Sequence, residues 1–97
     1  MAVVILIKRT IPDGRLMEAL PLFTQLRRLS LVRPGYISGA TLRRIDNPDE
    51  YLVMSTWELL DDWHTWESSE ERKKVQAKID ALIGGETKYE IYDHNLL

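Results

Sequence analysis

All three tryptophans of the chain, and one of its two histidines, stand within the run Trp57-Glu58-Leu59-Leu60-Asp61-Asp62-Trp63-His64-Thr65-Trp66. Each indole carries a large apolar area that gains by leaving water. Three so close together mark either the centre of a small core or the wall of a pocket for a flat apolar ligand. Trp57 is expected first of all to pack as a strand-end aromatic beneath the next helix. Trp63 and Trp66, three apart, project toward the same side of a helix and suit a core or a cavity equally. His64, turned inward, would serve as a general base. Its place off the tryptophan face makes exposure its default. Tyr51, Arg43 and Arg44 are the other candidates for placing polarity in such a pocket.

Composition excludes several other chemistries. With 13 basic and 15 acidic residues the formal charge is −2, which gives no general attraction to nucleic acid or to an anionic membrane surface. The absence of cysteine removes disulfides, thiolate nucleophiles and cysteine-based metal sites. His64 and His94 are too few and too isolated for a metal cluster, and His94 is expected to be solvated. The apolar start Ala2 to Ile7 is followed by Lys8 and Arg9, the reverse of the order in a secretory leader. A cytoplasmic, soluble protein is expected, with residues 1–97 forming one domain.

The elements that must position these residues follow from periodicity. Val3-Val4-Ile5-Leu6-Ile7 is an unbroken β-branched run, a strand buried on both faces, and Ile11-Pro12-Asp13-Gly14 ends it. From Arg15 to Val32, Leu16, Ala19, Leu20, Phe23, Leu26 and Leu29 trace one helical face, with a kink expected at Pro21. Arg33-Pro34-Gly35 terminates that helix. Tyr36–Ile45 and Glu50–Glu58 read as two strands of a hairpin around Asp46-Asn47-Pro48-Asp49. In the second of these, Tyr51, Val53, Ser55 and Trp57 share one face, and Leu52, Met54 and Thr56 the other. One guanidinium of Arg43-Arg44 falls on each face.

A helix with Leu59 or Leu60, Trp63 and Trp66 on its apolar side comes next. Ser68 and Glu71 have capping-box spacing, so a further segment begins near Ser69. Val75, Ile79 and Leu82 or Ile83 form its buried stripe, Gly84-Gly85 its end, and Glu70-Glu71-Arg72-Lys73-Lys74 a solvated face. Lys88 to Asp93 alternates as a last strand. The order βαββαβ predicts an α+β ferredoxin-like sandwich, a four-stranded antiparallel sheet with two helical regions on one face. The other face keeps apolar residues, so a homodimer through the sheet faces is expected.

That order, with Gly14 and Pro34-Gly35 bracketing the first helix, Trp57-Glu58 closing the third strand, Trp66 nine positions on and Ser68-Ser69-Glu70-Glu71-Arg72 opening the next helix, resembles the antibiotic biosynthesis monooxygenase family. The resemblance runs from about Val3 to Tyr92 and implies a dimeric α+β barrel. It further implies oxidation of a quinol, polyphenol or similar flat aromatic substrate by molecular oxygen, with no metal or flavin cofactor. Such a substrate, once deprotonated, donates an electron to oxygen itself. The protein then supplies an enclosed apolar pocket, a polar group to steer deprotonation, and exclusion of water. On that reading Trp57, Trp63, Trp66 and Tyr51 bind substrate and His64 is the catalytic candidate.

Two departures from the family qualify it. A haem-degrading branch uses an asparagine on the first strand, a helix tryptophan and a histidine ten residues later. Trp66 matches the tryptophan, but Gln76 stands at the histidine's place and Lys8 near the asparagine's, so haem ligation is not expected. The polyketide monooxygenases carry an asparagine four residues before the third-strand tryptophan, and here that residue is Val53. The alternative is a non-catalytic dimeric domain of the same fold that binds a small ligand or serves assembly.

Overall fold

The computed structural model describes residues 2–83 and 85–94. The chain runs β1 (Val3–Thr10), a 3-10 turn (Asp13–Arg15), α1 (Leu16–Ser30), β2 (Tyr36–Arg43), β3 (Glu50–Trp57), α2 (Leu60–Glu67), α3 (Glu70–Asp80) and β4 (Lys88–Asp93). The strands form one antiparallel sheet in the order β2-β3-β1-β4. This is the ferredoxin-like α+β arrangement, in which β3 inserts between β1 and β2 and the returning β4 pairs with the free side of β1.

The alternation of β1 decides which face is buried. Ile5, Ile7 and Arg9 point to the helical layer and are buried, while Val4, Leu6 and Lys8 point to the open face. Register carries this across the sheet: Ile5 lies opposite Ser55 and Ile91, Ile7 opposite Val53 and Tyr89, and Arg9 opposite Tyr51. Under the helices the core divides in two. Ile5, Ile7, Trp57, Trp63 and Trp66 form one cluster with Val3, Leu26, Leu29, Tyr36 and Val53 around it. Ile11, Ala19 and Tyr51 form the other, with Leu16, Phe23, Leu82 and Ile83.

Several sequence expectations shift at their edges. β1 runs three residues beyond Ile7, because Lys8 and Arg9 keep the pleat, one outward and one inward. β2 ends at Arg43, and Ile45 is exposed in the connection. α1 continues through Pro21 from Leu16 to Ser30, and Leu20 falls on its exposed side. Leu59 and Leu60 are also exposed, since only Trp63 and Trp66 of α2 reach the core. The cap of α3 is Ser69, whose hydroxyl accepts from the Arg72 amide at 3.2 Å, whereas Ser68 bonds back to the His64 carbonyl at 2.8 Å. Gly84 of the expected Gly84-Gly85 stop lies outside the described residues.

The run Glu70–Lys74 is not a uniformly solvated face. Arg72 is buried with Val75, Gln76 and Ile79, the i, i+3, i+4, i+7 stripe of α3. Among the described residues no helix is long and apolar enough to cross a membrane.

Two local devices set the tryptophan layer. A bulge between Tyr36 and Ser38 lets Tyr36 and Gly39 both face the helices, opposite Trp57 and Ser55. A Cβ at Gly39 would collide with the Tyr36 hydroxyl, so the missing side chain makes room for that ring. Gly35 adopts φ +83°, accepts the Glu58 amide at 2.8 Å, and would drive a Cβ into the Asp62 carboxylate. It therefore fixes the approach of α2 to the start of β2. Gly35→Ala is expected to cost about 1–3 kcal/mol through left-handed backbone strain and that collision. Gly14→Ala, with open space around it, should stay within about 0.5 kcal/mol. Urea unfolding of the two variants measures the contrast.

Candidate active site

The cavity between sheet and helices opens beside the tryptophan cluster, with about 560 Å³ of space including its solvent-open mouth. Trp57, Trp63 and Trp66 all line it, along with Tyr36, Phe23 and Val53. The rings interlock rather than stack flat. Trp57 meets Tyr36 edge-on at 5.4 Å between centroids and Trp63 at 6.0 Å, and Trp63 continues to Tyr89 at 6.1 Å. Edge-to-face contacts of this kind add to the gain from burial. The Trp57 indole donates to the Ser55 hydroxyl at 3.1 Å, which satisfies the one polar atom of the most buried ring. Trp57 thus serves the core and the cavity wall together.

The structure separates the remaining candidates. Tyr51 is buried one cluster away, 6.4 Å from Phe23 between ring centroids, and does not line the cavity. Arg43 lies over the Tyr51 ring and donates to the Pro48 carbonyl at 2.8 Å. Arg44 stands in the hairpin connection, bonded to Asp46 at 2.6 Å and to Glu50 at 3.3 Å, and its guanidinium holds the Asp46 carboxyl below the ordinary carboxylate range. His64 faces outward on α2, half-exposed and 3.4 Å from Glu67. The azimuth that brings Trp63 and Trp66 inside turns His64 away, so it does not reach the cavity. His94 is exposed.

Sequence reasoning missed two buried polar groups among the residues that line the cavity. Arg9 and Arg72 both line it, and they are only 3% and 4% exposed. Arg9 stacks over Phe23 at 5.3 Å and donates from Nη2 to Oε1 of Gln76 at 2.7 Å. Arg72 lies 5.4 Å from the ring centroids of both Trp63 and Tyr89 and donates to the Tyr89 hydroxyl at 2.7 Å. Burial pushes the Arg9 pKa down to about 10, with Tyr89 opposing and Arg72 reinforcing the shift. Since the folded-state value lies below the unfolded one, the cost of this buried charge is fully present below pH 10 and is relieved only as pH rises above it. At neutral pH the guanidinium is charged.

The signal was present in the sequence as parity and period. Arg9 continues the odd-numbered series Ile5, Ile7 and Ile11, and Arg72 shares the helical stripe of Val75 and Ile79.

Gln76, at the position where the haem-degrading branch has its histidine, is occupied otherwise. Besides accepting from Arg9, its Nε2 donates to Asp80 at 2.7 Å and to Thr87 at 3.2 Å. Lys8, near the position of that branch's asparagine, sits on the open face of the sheet and pairs with Glu90 at 3.2 Å. No group of three or more His, Cys, Asp or Glu among the described residues could hold a metal ion.

A ferredoxin-like α+β domain with a tryptophan-walled cavity under its helices defines the class of protein. The profile of the antibiotic biosynthesis monooxygenase family matches residues 2–78, and the chain belongs to that family. Protein SchA of Streptomyces halstedii is 27% identical over 75 residues, which are 77% of this chain but 20% of SchA, so the chain spans about a fifth of that relative's length. A conserved protein from Methanosarcina mazei superposes with a TM-score of 0.91 at 18% identity, covering 98% of this chain and 94% of that one. SnoaB of Streptomyces nogalater, a cofactor-independent oxygenase, superposes with a TM-score of 0.86 at 16% identity, covering 99% and 95%. At such identities these structures establish the shared fold.

Two substitutions separate exposed from structural polarity. His64→Ala should change stability by no more than about 0.5 kcal/mol. Gln76→Leu, which leaves Arg9 buried without its acceptor, should cost about 1–3 kcal/mol. Thermal and urea unfolding with wild type alongside check both.

Proposed function

We propose that this domain is a small oxygenase acting on a quinol, polyphenol or similar flat aromatic substrate, with no cofactor of its own. The observation that supports this reading is the cavity walled by Trp57, Trp63 and Trp66 in a chain of the antibiotic biosynthesis monooxygenase family. A planar ring slides between indole walls with little loss of rotamer freedom, because the walls are already fixed by their edge-on contacts. Apolar walls also keep water from a reduced oxygen intermediate. In the reaction the substrate loses two hydrogens, one from a ring C–H and one from a hydroxyl, and the ring carbon gains one oxygen atom. The second oxygen atom leaves with those hydrogens as water, so the substrate supplies all the electrons. SnoaB, which shares the fold, is named as a cofactor-independent oxygenase.

The working unit is a homodimer through the open sheet faces. Val4, Leu6, Leu52 and Leu42 are left only partly covered there, beside Met54 and Tyr92. At about 25 cal/mol per Å², covering such a surface outweighs the marginal stability of a small domain. Sedimentation at micromolar concentration should give a dimer, and Met54→Lys should shift it toward monomer by placing a charge in the seam.

The second reading, a non-catalytic dimeric ligand-binding or assembly domain, is favoured by Val53. This apolar residue lines the cavity where the polyketide monooxygenases carry an asparagine. Oxygen uptake separates the readings. A panel of quinols should include at least one that drives uptake, at a rate unchanged by added flavin. Trp66→Ala should lower that rate at least about tenfold by opening the wall, with near-ultraviolet circular dichroism confirming that the variant is folded. Saturable quenching of tryptophan fluorescence without any oxygen uptake would favour the second reading.

A further inference from the structure

The charge of the cavity is out of character with the chain around it. In a protein of net charge −2, Arg9, Arg27 and Arg72 line this space, and among the described residues no aspartate or glutamate does. Two of these cations are buried. Taking a guanidinium out of water costs several kcal/mol unless a counter-charge or a full set of hydrogen bonds replaces the solvent. Arg9 meets neither condition. Among the described residues neither Arg9 nor Arg72 forms an ion pair with a carboxylate. Their side-chain hydrogen bonds go to neutral groups, the Gln76 amide and the Tyr89 hydroxyl. Nε of Arg9 is buried and finds no acceptor at all. The nearest compensation runs at one remove, through Gln76 to Asp80.

Other parts of the molecule show how this chain treats arginine elsewhere. Arg33 lies over Trp66 at 5.1 Å and also pairs with Glu71 at 3.2 Å. Arg44 takes two carboxylates and Arg15 takes Glu18. Arg15, Arg33 and Arg44, which take carboxylates, are all more exposed than Arg9 and Arg72, while the exposed Arg27, Arg28 and Arg43 form no carboxylate pair among the described residues either.

We propose that the cavity binds its aromatic ligand as an anion, with a phenolate, enolate or carboxylate oxygen received by Arg9 and Arg72, and the ring held by the tryptophan wall. This rests on the oxygenase reading for its chemistry but not for its test. For a hydroxyaromatic substrate, the O–H bond breaks, the electron pair stays on oxygen, and the proton passes to solvent. The two guanidiniums favour that ionised form by lowering its energy in a site poor in water. An electron-rich anion is also the form that gives up an electron to oxygen. Arg9 and Arg72 would therefore select substrate and prepare it in a single contact.

The test measures binding, by quenching of tryptophan fluorescence in the full chain. The probes are 2-hydroxy-1,4-naphthoquinone, an anion at neutral pH, and 1,4-naphthoquinone, its neutral counterpart with the same rings. 2-Naphthoate and naphthalene form a second pair. Wild type should bind the hydroxyquinone at least about tenfold more tightly than the neutral quinone, a difference of about 1.4 kcal/mol. The preference should vanish when the hydroxyquinone is protonated at low pH. It should also vanish in Arg9→Gln and Arg72→Gln while the neutral quinone still binds. If those variants do not fold, the wild-type comparison across pH decides alone.

A matching preference for naphthoate over naphthalene supports a site for any anionic aromatic, and its absence supports one for ring-conjugated oxyanions. Equal affinity for hydroxyquinone and quinone in wild type overturns the proposal while leaving the oxygenase reading standing. Binding of neither quinone overturns both.

Discussion

Everything in this domain leans on the contact between Trp57 at the end of β3 and Trp63 one turn into α2, ring edge to ring face at 6.0 Å. The indole of Trp57 is wholly buried, so the helix that follows must return over the strand it has just left. It can do so because Gly35 takes a backbone conformation that other residues rarely adopt and presents no Cβ to Asp62 at the head of α2. Burying one indole is worth about 4–6 kcal/mol by area, a large share of what a domain of this size has to spare. The constraint is steric as much as energetic. Three rings meeting edge to face cannot collapse into a flat stack, and the space they leave beside them is the cavity.

That origin explains why the same residues read as core and as site. A wall made of core side chains is rigid before any ligand arrives, so little ordering cost remains for binding. The polar elements are attached to the frame in the same manner. Arg9 is a position of the central strand and Arg72 a position in the first turn of α3, so their spacing is set by the packing of α3 on the sheet rather than by a loop. Gln76 ties the two layers together, accepting from the strand and donating to Asp80 and Thr87. The cost of burying two guanidiniums without carboxylates is borne by the surrounding aromatic burial. Such a stored cost is characteristic of functional sites, where local stability gives way to readiness for a charged partner.

Much of this was legible in the residues themselves. The order βαββαβ, the hairpin at Asp46-Asn47-Pro48-Asp49, the shared face of Tyr51, Val53, Ser55 and Trp57, and the paired projection of Trp63 and Trp66 all follow from periods of two and 3.6 and from turn chemistry. These are local rules, and local rules fail where a long-range partner reverses a preference. Nothing in its own chemistry marked Arg9 as inward, because charged residues are rarely buried. Arg72 looked like one sign of an alternating surface run. Both are inside because aromatic faces, Phe23 for one and Trp63 with Tyr89 for the other, cover their planes from other elements of the fold.

The sequence by itself determined the elements, their order and the family, since each is written in spacing a few residues long. It also determined that three tryptophans would gather, because indoles do not stay in water. Only the tertiary structure decided which polar groups join them. His64, adjacent in sequence to Trp63, is carried outside by a helical step of 100°. Arg9, more than fifty residues from Trp63, is carried inside by the parity of a strand. Distance along the chain says little about distance across a packed sheet, and the charge of the cavity is settled by the second kind of distance.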